Sequence, residues 1–234
     1  MNHLLKTALT QRGEELSEAE MELINRQTLR RLEAGEVFTF RLAACDDQVD
    51  RDYERFSLSA LNQMADLFVG QPVLMDHRWS AGSQTARVYS GSVEQTDGKN
   101  RLILRCYMPR SEKTAETIQA IECGILRECS VGVAVSRALC SVCGADNCKT
   151  LCAHCRGQEY DGKTCHFILD EVVDAYEVSM VAVPAQPEAG VIKSKRYGGS
   201  EPDTPGKAEP TEEALLLAQA RMELEEKRYG GNGV

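Results

Sequence analysis

The sequence lacks the long apolar segment that a membrane-spanning or exported chain needs. No run of eighteen apolar residues occurs in its 234 residues, and its first residues contain no apolar stretch of signal-peptide length. Acidic side chains outnumber basic ones by 36 to 27, for a formal net charge of −9. Such a chain repels phosphate backbones. We therefore expect a protein that neither enters a membrane nor binds nucleic acid.

Histidine is also scarce, and this narrows the choice of a catalytic base. There are four histidines and no H-E-x-x-H motif. His3 lies near the start of the chain, and His154 and His166 lie among cysteines. An imidazole acting as a general base would therefore be His77, which directly follows the short apolar strand predicted at VLMD. The simpler interpretation is an ordinary surface histidine.

Hydrophobic patterning and turn residues predict an α+β core over residues 36–192. A helical arm, residues 1–35, precedes this core, with Ser17 and Glu20 as a capping box and Gly35 as the helix stop. A tail, residues 193–234, follows it; glycine and proline predict a flexible segment there, with one short helix. The core elements are helices at 58–69 and 112–124, and strands at 36–44, 72–75, 87–95, 101–108, 127–138, 167–175 and 177–183.

A cysteine-rich insertion, residues 139–166, separates two predicted strands. It contains six of the ten cysteines, in the spacing C-x2-C-x4-C-x3-C-x2-C-x9-C. Two C-x2-C pairs can place four ligands around a tetrahedral zinc ion, and such a closed site supports folding rather than catalysis. The candidate ligands are Cys140 and Cys143, then Cys152, and for the fourth position Cys155, Cys165 or His154.

Ser130 is the candidate nucleophile. It lies in the sequence RECSVGVAV, where a β-branched strand is predicted to begin. On a strand, Ser130, Gly132 and Ala134 share one face, and the valines between them share the other. These small residues leave room for a substrate beside the hydroxyl, whereas the same alternation directs the Cys129 thiol into the core. A buried serine bonded to the backbone is the alternative.

Four motifs in order resemble the prohead proteases of tailed bacteriophages. They are DDQVDRDYERF, LMDH, SVGV and YEVSMVAVPAQPEAG, and they lie between residues 36 and 192. That family is similar in fold to the assemblins, the capsid-maturation proteases of herpesviruses. The resemblance implies a mostly antiparallel, β-barrel-like core with flanking helices, to which the zinc-binding insertion and the tail are additions.

The resemblance also implies a serine endopeptidase. The nucleophile would be Ser130, the base His77, and the third member an acid on the following strand, Glu177. Asp170, Glu171 and Asp174 lie just upstream and are alternatives for the third position. In this arrangement the histidine removes the serine proton during attack on a peptide carbonyl, and the acid orients the imidazole and stabilises its protonated form.

Capsid assembly is the biological setting that the resemblance implies. The substrates would be the major capsid protein and the scaffold protein, processed in the host cytoplasm inside the assembling prohead. The resemblance also allows such an enzyme to cleave its own chain and to form a homo-oligomer. The alternative hypothesis is a zinc-stapled scaffold or binding module that takes part in capsid assembly without cleaving anything.

We predict that the protein cleaves its own tail between residues 193 and 200. The pentapeptide KRYGG occurs at 195–199 and again at 227–231, on either side of the predicted tail helix. Glycine there lets the backbone extend as a protease cleft requires. The intact masses of wild-type and Ser130→Ala protein test this. Cleavage in the wild type alone is expected, and identical full-length masses would identify the segment as an ordinary linker.

Overall fold

A computed structural model describes residues 16–192, which form two sheets and three α-helices. The helices are α1 (Glu18–Asn25), α2 (Leu58–Leu67) and α3 (Glu112–Glu122). The strands are β1 (Val37–Asp46), β2 (Glu54–Phe56), β3 (Pro72–Met75), β4 (Ala86–Thr96), β5 (Lys99–Pro109), β6 (Cys129–Cys140), β7 (Glu159–Tyr160), β8 (Lys163–Thr164), β9 (Phe167–Met180) and β10 (Gly190–Ile192). The predicted tail and its cleavage segment lie outside the described residues. Within residues 16–192, no helix has the length and hydrophobicity needed to cross a bilayer.

The main sheet has eight strands, in the order β10-β1-β5-β4-β3-β9-β2, with β6 paired to β9 off this path. Most neighbours are antiparallel, but β2 and β3 run parallel to β9. The predicted α+β class is therefore confirmed. A single bridge, between Glu128 and Gly190, joins the start of β6 to β10. Because the described strands do not close into a barrel, the β-barrel-like core implied by the resemblance is not confirmed.

The first helix begins where it was predicted and ends earlier. Ser17 and Glu20 form the predicted capping box, which satisfies N–H groups that a helix start leaves unpaired. However, α1 ends at Asn25 rather than at Gly35. The Asn25 side chain accepts from the Leu32 N–H at 2.7 Å and donates to the Leu32 carbonyl at 3.2 Å. This local side-chain pairing holds the chain in a loop where a helix was predicted.

Helix α2 supplies one side of the main core. Its predicted apolar stripe is buried as expected, with Leu61, Met64 and Phe68 inaccessible to solvent. The stripe packs against β4, β5 and β9 and is part of one continuous buried cluster. The predicted β4–β5 hairpin is also present, and its turn residues Asp97 and Gly98 both have positive φ, as a tight hairpin turn requires.

The segment predicted as two strands, 167–175 and 177–183, is one long strand, β9. Its ladder with β6 shifts register twice, once between Gly132 and Val133 and once between Ala134 and Val135. These shifts are β-bulges, and each adds one residue to β9. The short strands β2 and β10 were not predicted, because each has only three residues and so carries too little alternation to be detected.

Candidate functional site

The turn after β3 carries His77. Asp76 and His77 both have positive φ, at 53° and 51°, and the Arg78 N–H donates to the Met75 carbonyl at 3.0 Å to close the turn. The Asp76 N–H donates to Met180 at the end of β9, also at 3.0 Å. Positive φ is uncommon for residues with a side chain and is found at sites that surrounding contacts hold in place. The imidazole therefore starts from a fixed backbone.

Glu177 holds the His77 ring. Nδ1 of His77 lies 2.7 Å from Oε1 of Glu177. The Glu177 residue is only 2% exposed, whereas 43% of the His77 side chain is exposed. The buried partner of the imidazole is thus a carboxylate, and the ring's other nitrogen, Nε2, makes no hydrogen bond within residues 16–192. The structure brings these two predicted residues together.

Ser179 is a member of this group that sequence reasoning missed. Its hydroxyl donates to Oε2 of Glu177 at 2.5 Å and accepts from the His77 backbone N–H at 3.0 Å. The residue is completely buried. Ser179 follows Glu177 by two residues, and side chains two apart on a strand lie on the same face. This spacing was the signal in the sequence that could have identified Ser179.

Ser130 lies on the same face of the sheet. It pairs in register with Ser179, and Gly132 pairs with Glu177. Ser130 is half-buried, and its hydroxyl makes no hydrogen bond to His77 or to any other described residue. The valines on the opposite face of β6 pack against the core, as predicted. The structure thus places Ser130 on β6 directly opposite Ser179 on β9, whose hydroxyl accepts the His77 N–H.

Cys129 does not compete with Ser130 as a nucleophile. The thiol is completely buried on the core side of β6. Burial, with a smaller contribution from Glu128, raises its pKa to about 12. A buried, protonated thiol is unreactive.

The alternative acids upstream of Glu177 have other contacts. Asp170 accepts a hydrogen bond from Ser57 at 2.6 Å, and Asp174 accepts from the Ala175 N–H at 2.9 Å. Glu171 accepts from the Ser136 hydroxyl at 3.0 Å. None of the three contacts His77 within residues 16–192.

The cysteine insertion forms a second candidate site. Cys140, Cys143, Cys152 and His154 place their donor atoms within 4.8 Å of one another. Nδ1 of His154 is buried and has no hydrogen-bond partner within residues 16–192. A bound metal ion would accept a lone pair from the imidazole beside these three thiols. This group of three cysteines and one histidine can bind a metal ion.

Two other predicted ligands, Cys155 and Cys165, are not part of this four-donor group. Cys155 is exposed and is not part of the four-donor group. Cys165 is buried, and its Sγ lies 3.8 Å from Sγ of Cys140. Two thiolates on one tetrahedral ion, with metal–sulfur bonds of about 2.3 Å, are separated by about 3.8 Å. Cys165 is therefore the alternative to His154 as the fourth ligand.

The surroundings of the Cys140 thiol lower its pKa. Burial alone would raise the pKa of this thiol, but hydrogen bonds from the backbone N–H groups of Cys143 and Val142 outweigh it and lower the pKa to about 7. Burial and the hydrogen bond to Cys140 raise the pKa of Cys165 to about 11. Because the thiolate is the metal-binding form, the lowered pKa favours Cys140 as a ligand.

The two sites lie at opposite ends of the β6–β9 ladder. Ser130 pairs with Ser179 at one end, and Cys140 pairs with Phe167 at the other. Ten residues of strand span about 33 Å. An ion among the cysteines therefore lies too far from Ser130 to contact the atoms around it.

Comparisons with protein-family models, with curated proteins and with solved structures found no match.

We predict that Gly132→Ala separates His77 from Glu177. A Cβ at this position would lie 2.6 Å from Oε1 of Glu177, and the φ of Gly132 is not in the left-handed region, so only the carboxylate has to move. Overpacking of this kind costs about 1–3 kcal/mol of stability. The measurement is the downfield proton signal of the His77 Nδ1–H, assigned by its absence in His77→Gln. Gly35→Ala is the control, because nothing lies within 4 Å of its Cβ. An unchanged signal in Gly132→Ala would contradict the geometry.

We also predict that His154 and Cys152 are metal ligands, whereas their neighbours are not. Loading the full chain with Co²⁺ should give thiolate-to-metal absorption with about one ion per chain, as a closed tetrahedral site requires. Cys152→Ser and His154→Ala should lose the ion. The matched variants Cys155→Ser and His166→Ala should retain it. Retention by His154→Ala with loss in Cys165→Ser would assign the fourth position to Cys165.

Proposed function

We propose that the protein is a serine endopeptidase of the prohead-protease type. Ser130 is the nucleophile, His77 the general base and Glu177 the residue that orients the imidazole. One observation carries the proposal: a buried carboxylate lies 2.7 Å from one nitrogen of a half-exposed histidine, on the sheet face that also holds Ser130.

The contacts of the histidine give each residue its role. Because Glu177 accepts a hydrogen bond from Nδ1–H, the free lone pair of His77 is on Nε2. During attack by Ser130 Oγ on a peptide carbonyl carbon, the serine proton passes to Nε2 and then to the departing amine. These steps leave the acyl group as an ester on Ser130 Oγ. A water molecule, deprotonated by the same nitrogen, then attacks this ester, the proton passes from Nε2 to Ser130 Oγ, and the carboxylic acid product leaves. The Ser130–His77 hydrogen bond forms in the substrate complex, since such bonds are often long in free enzymes.

The free edge of β6 supports a peptide as the substrate. Between residues 130 and 137 this strand pairs with β9 only, and no other described strand pairs with it there. An unpaired strand edge can take up an extended peptide through main-chain hydrogen bonds. Ser130 stands near the start of this edge, where a scissile bond would come within its reach.

We propose that the metal is zinc and that its role is structural. Thiolate and imidazole donors favour zinc over calcium or magnesium, and four protein ligands leave no position for water. The ten residues of β6 between Ser130 and Cys140, a span of about 33 Å, support the same assignment. The ion would hold the turn that connects β6 to β9.

The substrates that we propose are the capsid and scaffold proteins of a tailed phage. The reaction would take place inside the assembling prohead, in the host cytoplasm. This part of the proposal is supported only by the sequence motifs between residues 36 and 192.

A zinc-stapled module that binds capsid proteins without cleaving them is the second candidate. The observation that favours it is the absence of a hydrogen bond between Ser130 and His77 within the described residues. In this case the β6 edge would still bind a peptide, but Ser130 would not be activated.

We predict that a fluorophosphonate probe labels the full-length protein at Ser130. Ser130→Ala should not be labelled, and His77→Gln should be labelled about 10²–10⁴ times more slowly, which is the usual contribution of a general base. Glu177→Gln should also react slowly, because the orienting charge is lost. Asp174→Asn is the matched control on the same strand and should keep the wild-type rate. A wild-type protein that does not react would favour the binding module.

A further inference from the structure

We propose that Ser179 is a positioning residue that fixes both the carboxylate and the histidine of this site. The inference rests on the proposed function, since it assigns to Ser179 the task of holding His77 ready for Ser130. Ser179 would not touch the substrate, because it is completely buried.

Two hydrogen bonds define this role. The Ser179 hydroxyl donates its one O–H hydrogen bond to Oε2 of Glu177, at 2.5 Å. Its oxygen accepts the backbone N–H of His77, at 3.0 Å. One hydroxyl group therefore fixes both ends of the His77–Glu177 pair, the carboxylate on β9 and the main chain after β3.

The carboxylate depends on this hydroxyl. Within residues 16–192, each Glu177 oxygen has one hydrogen-bond partner: the imidazole for Oε1 and Ser179 for Oε2. A buried carboxylate oxygen without a partner costs more than the net value of one hydrogen bond. Without the hydroxyl, Glu177 gains by rotating to find another donor, and its rotation moves Oε1 away from the imidazole.

The turn that carries His77 depends on the Ser179 hydroxyl as well. Asp76 and His77 both have positive φ, a conformation that persists only where neighbouring contacts hold it. The Ser179 hydroxyl receives the N–H of the second of these residues. Loss of that contact frees the turn to relax, and an imidazole displaced by about 1 Å can lose about 100-fold in rate.

Ser179 is not the nucleophile itself. Its O–H group is already hydrogen-bonded to Glu177, and no part of the residue is accessible to a substrate. Its register partner Ser130 is half-buried and has a free hydroxyl in the described structure. A probe should therefore react with Ser130 and leave Ser179 unlabelled.

The experiment uses the full-length chain and four variants. Ser179→Ala removes the hydroxyl, Ser179→Cys keeps the size but donates poorly, and Ser179→Thr keeps the hydroxyl. Ser136→Ala is the matched control: its hydroxyl also donates to a carboxylate, Glu171 at 3.0 Å, but six residues of strand away from Ser130. The readouts are the fluorophosphonate labelling rate and the downfield His77 Nδ1–H proton signal.

The expected result is a labelling rate about 10- to 100-fold lower in Ser179→Ala and Ser179→Cys, the range for one hydrogen bond to a charged group. The His77 signal should shift or broaden in both variants. Ser179→Thr and Ser136→Ala should keep the signal and the rate. If Ser179→Ala does not fold, Ser179→Cys alone decides the outcome.

The two readouts separate the inference from the proposed function. A wild-type rate and an unchanged His77 signal in Ser179→Cys would overturn the role of Ser179. Labelling on Ser179 instead of Ser130 would also overturn it. If the wild type is not labelled at all, the protease proposal fails, while loss of the His77 signal in Ser179→Cys still supports the positioning role.

Discussion

A carboxylate buried in the main sheet sets the constraint on which the candidate site depends. Burying a charge is costly unless hydrogen bonds replace the lost water, so the residues around Glu177 have little freedom. One of its oxygens requires the imidazole and the other requires the Ser179 hydroxyl. Gly132, on the neighbouring strand, leaves the space that the carboxylate occupies. Three adjacent strands, β3, β9 and β6, are thus fitted to one side chain.

The bulges in β9 explain how a charged side chain can lie in a strand that also contributes to the apolar core. On β6, the core-facing residues Val131, Val133 and Val135 recur every second position. Their register partners on β9 are Val178, Ala175 and Val172, which recur every third position. Each bulge adds one residue and restores the match. Without the bulge beside Ala175, simple alternation would place Glu177 on the same face as Ala175, inside the core.

Local signals were predictable from the sequence, and long-range pairings were not. The Ser17 capping box, the buried face of α2 and the Asp97–Gly98 turn each depend on residues close together in the chain. The pairings of β2 and β10 depend on partners more than a hundred residues away. At the candidate site, His77 was identified because histidines are scarce, and Glu177 was identified through the resemblance. Ser179 was missed because its one signal, a position two residues after Glu177, does not stand out in a strand sequence. The choice between Cys155 and His154 likewise needed the folded loop.

The ends of the β6–β9 hairpin are also linked through the segment that follows β1. At the cysteine end, Tyr53 accepts the Phe167 N–H at 2.9 Å, and Arg156 pairs with Glu54. At the other end, Arg51 donates to the carbonyl of Pro184 at 2.5 Å, in the loop after β9. This segment therefore contacts both the cysteine insertion and the loop that leaves the Glu177 strand. A metal ion bound in the insertion would stabilise the hairpin at the end far from His77. The contacts of this segment, together with the β6–β9 ladder, connect that end to the candidate site. A metal ion in the insertion would thus support the geometry around Glu177 from a distance.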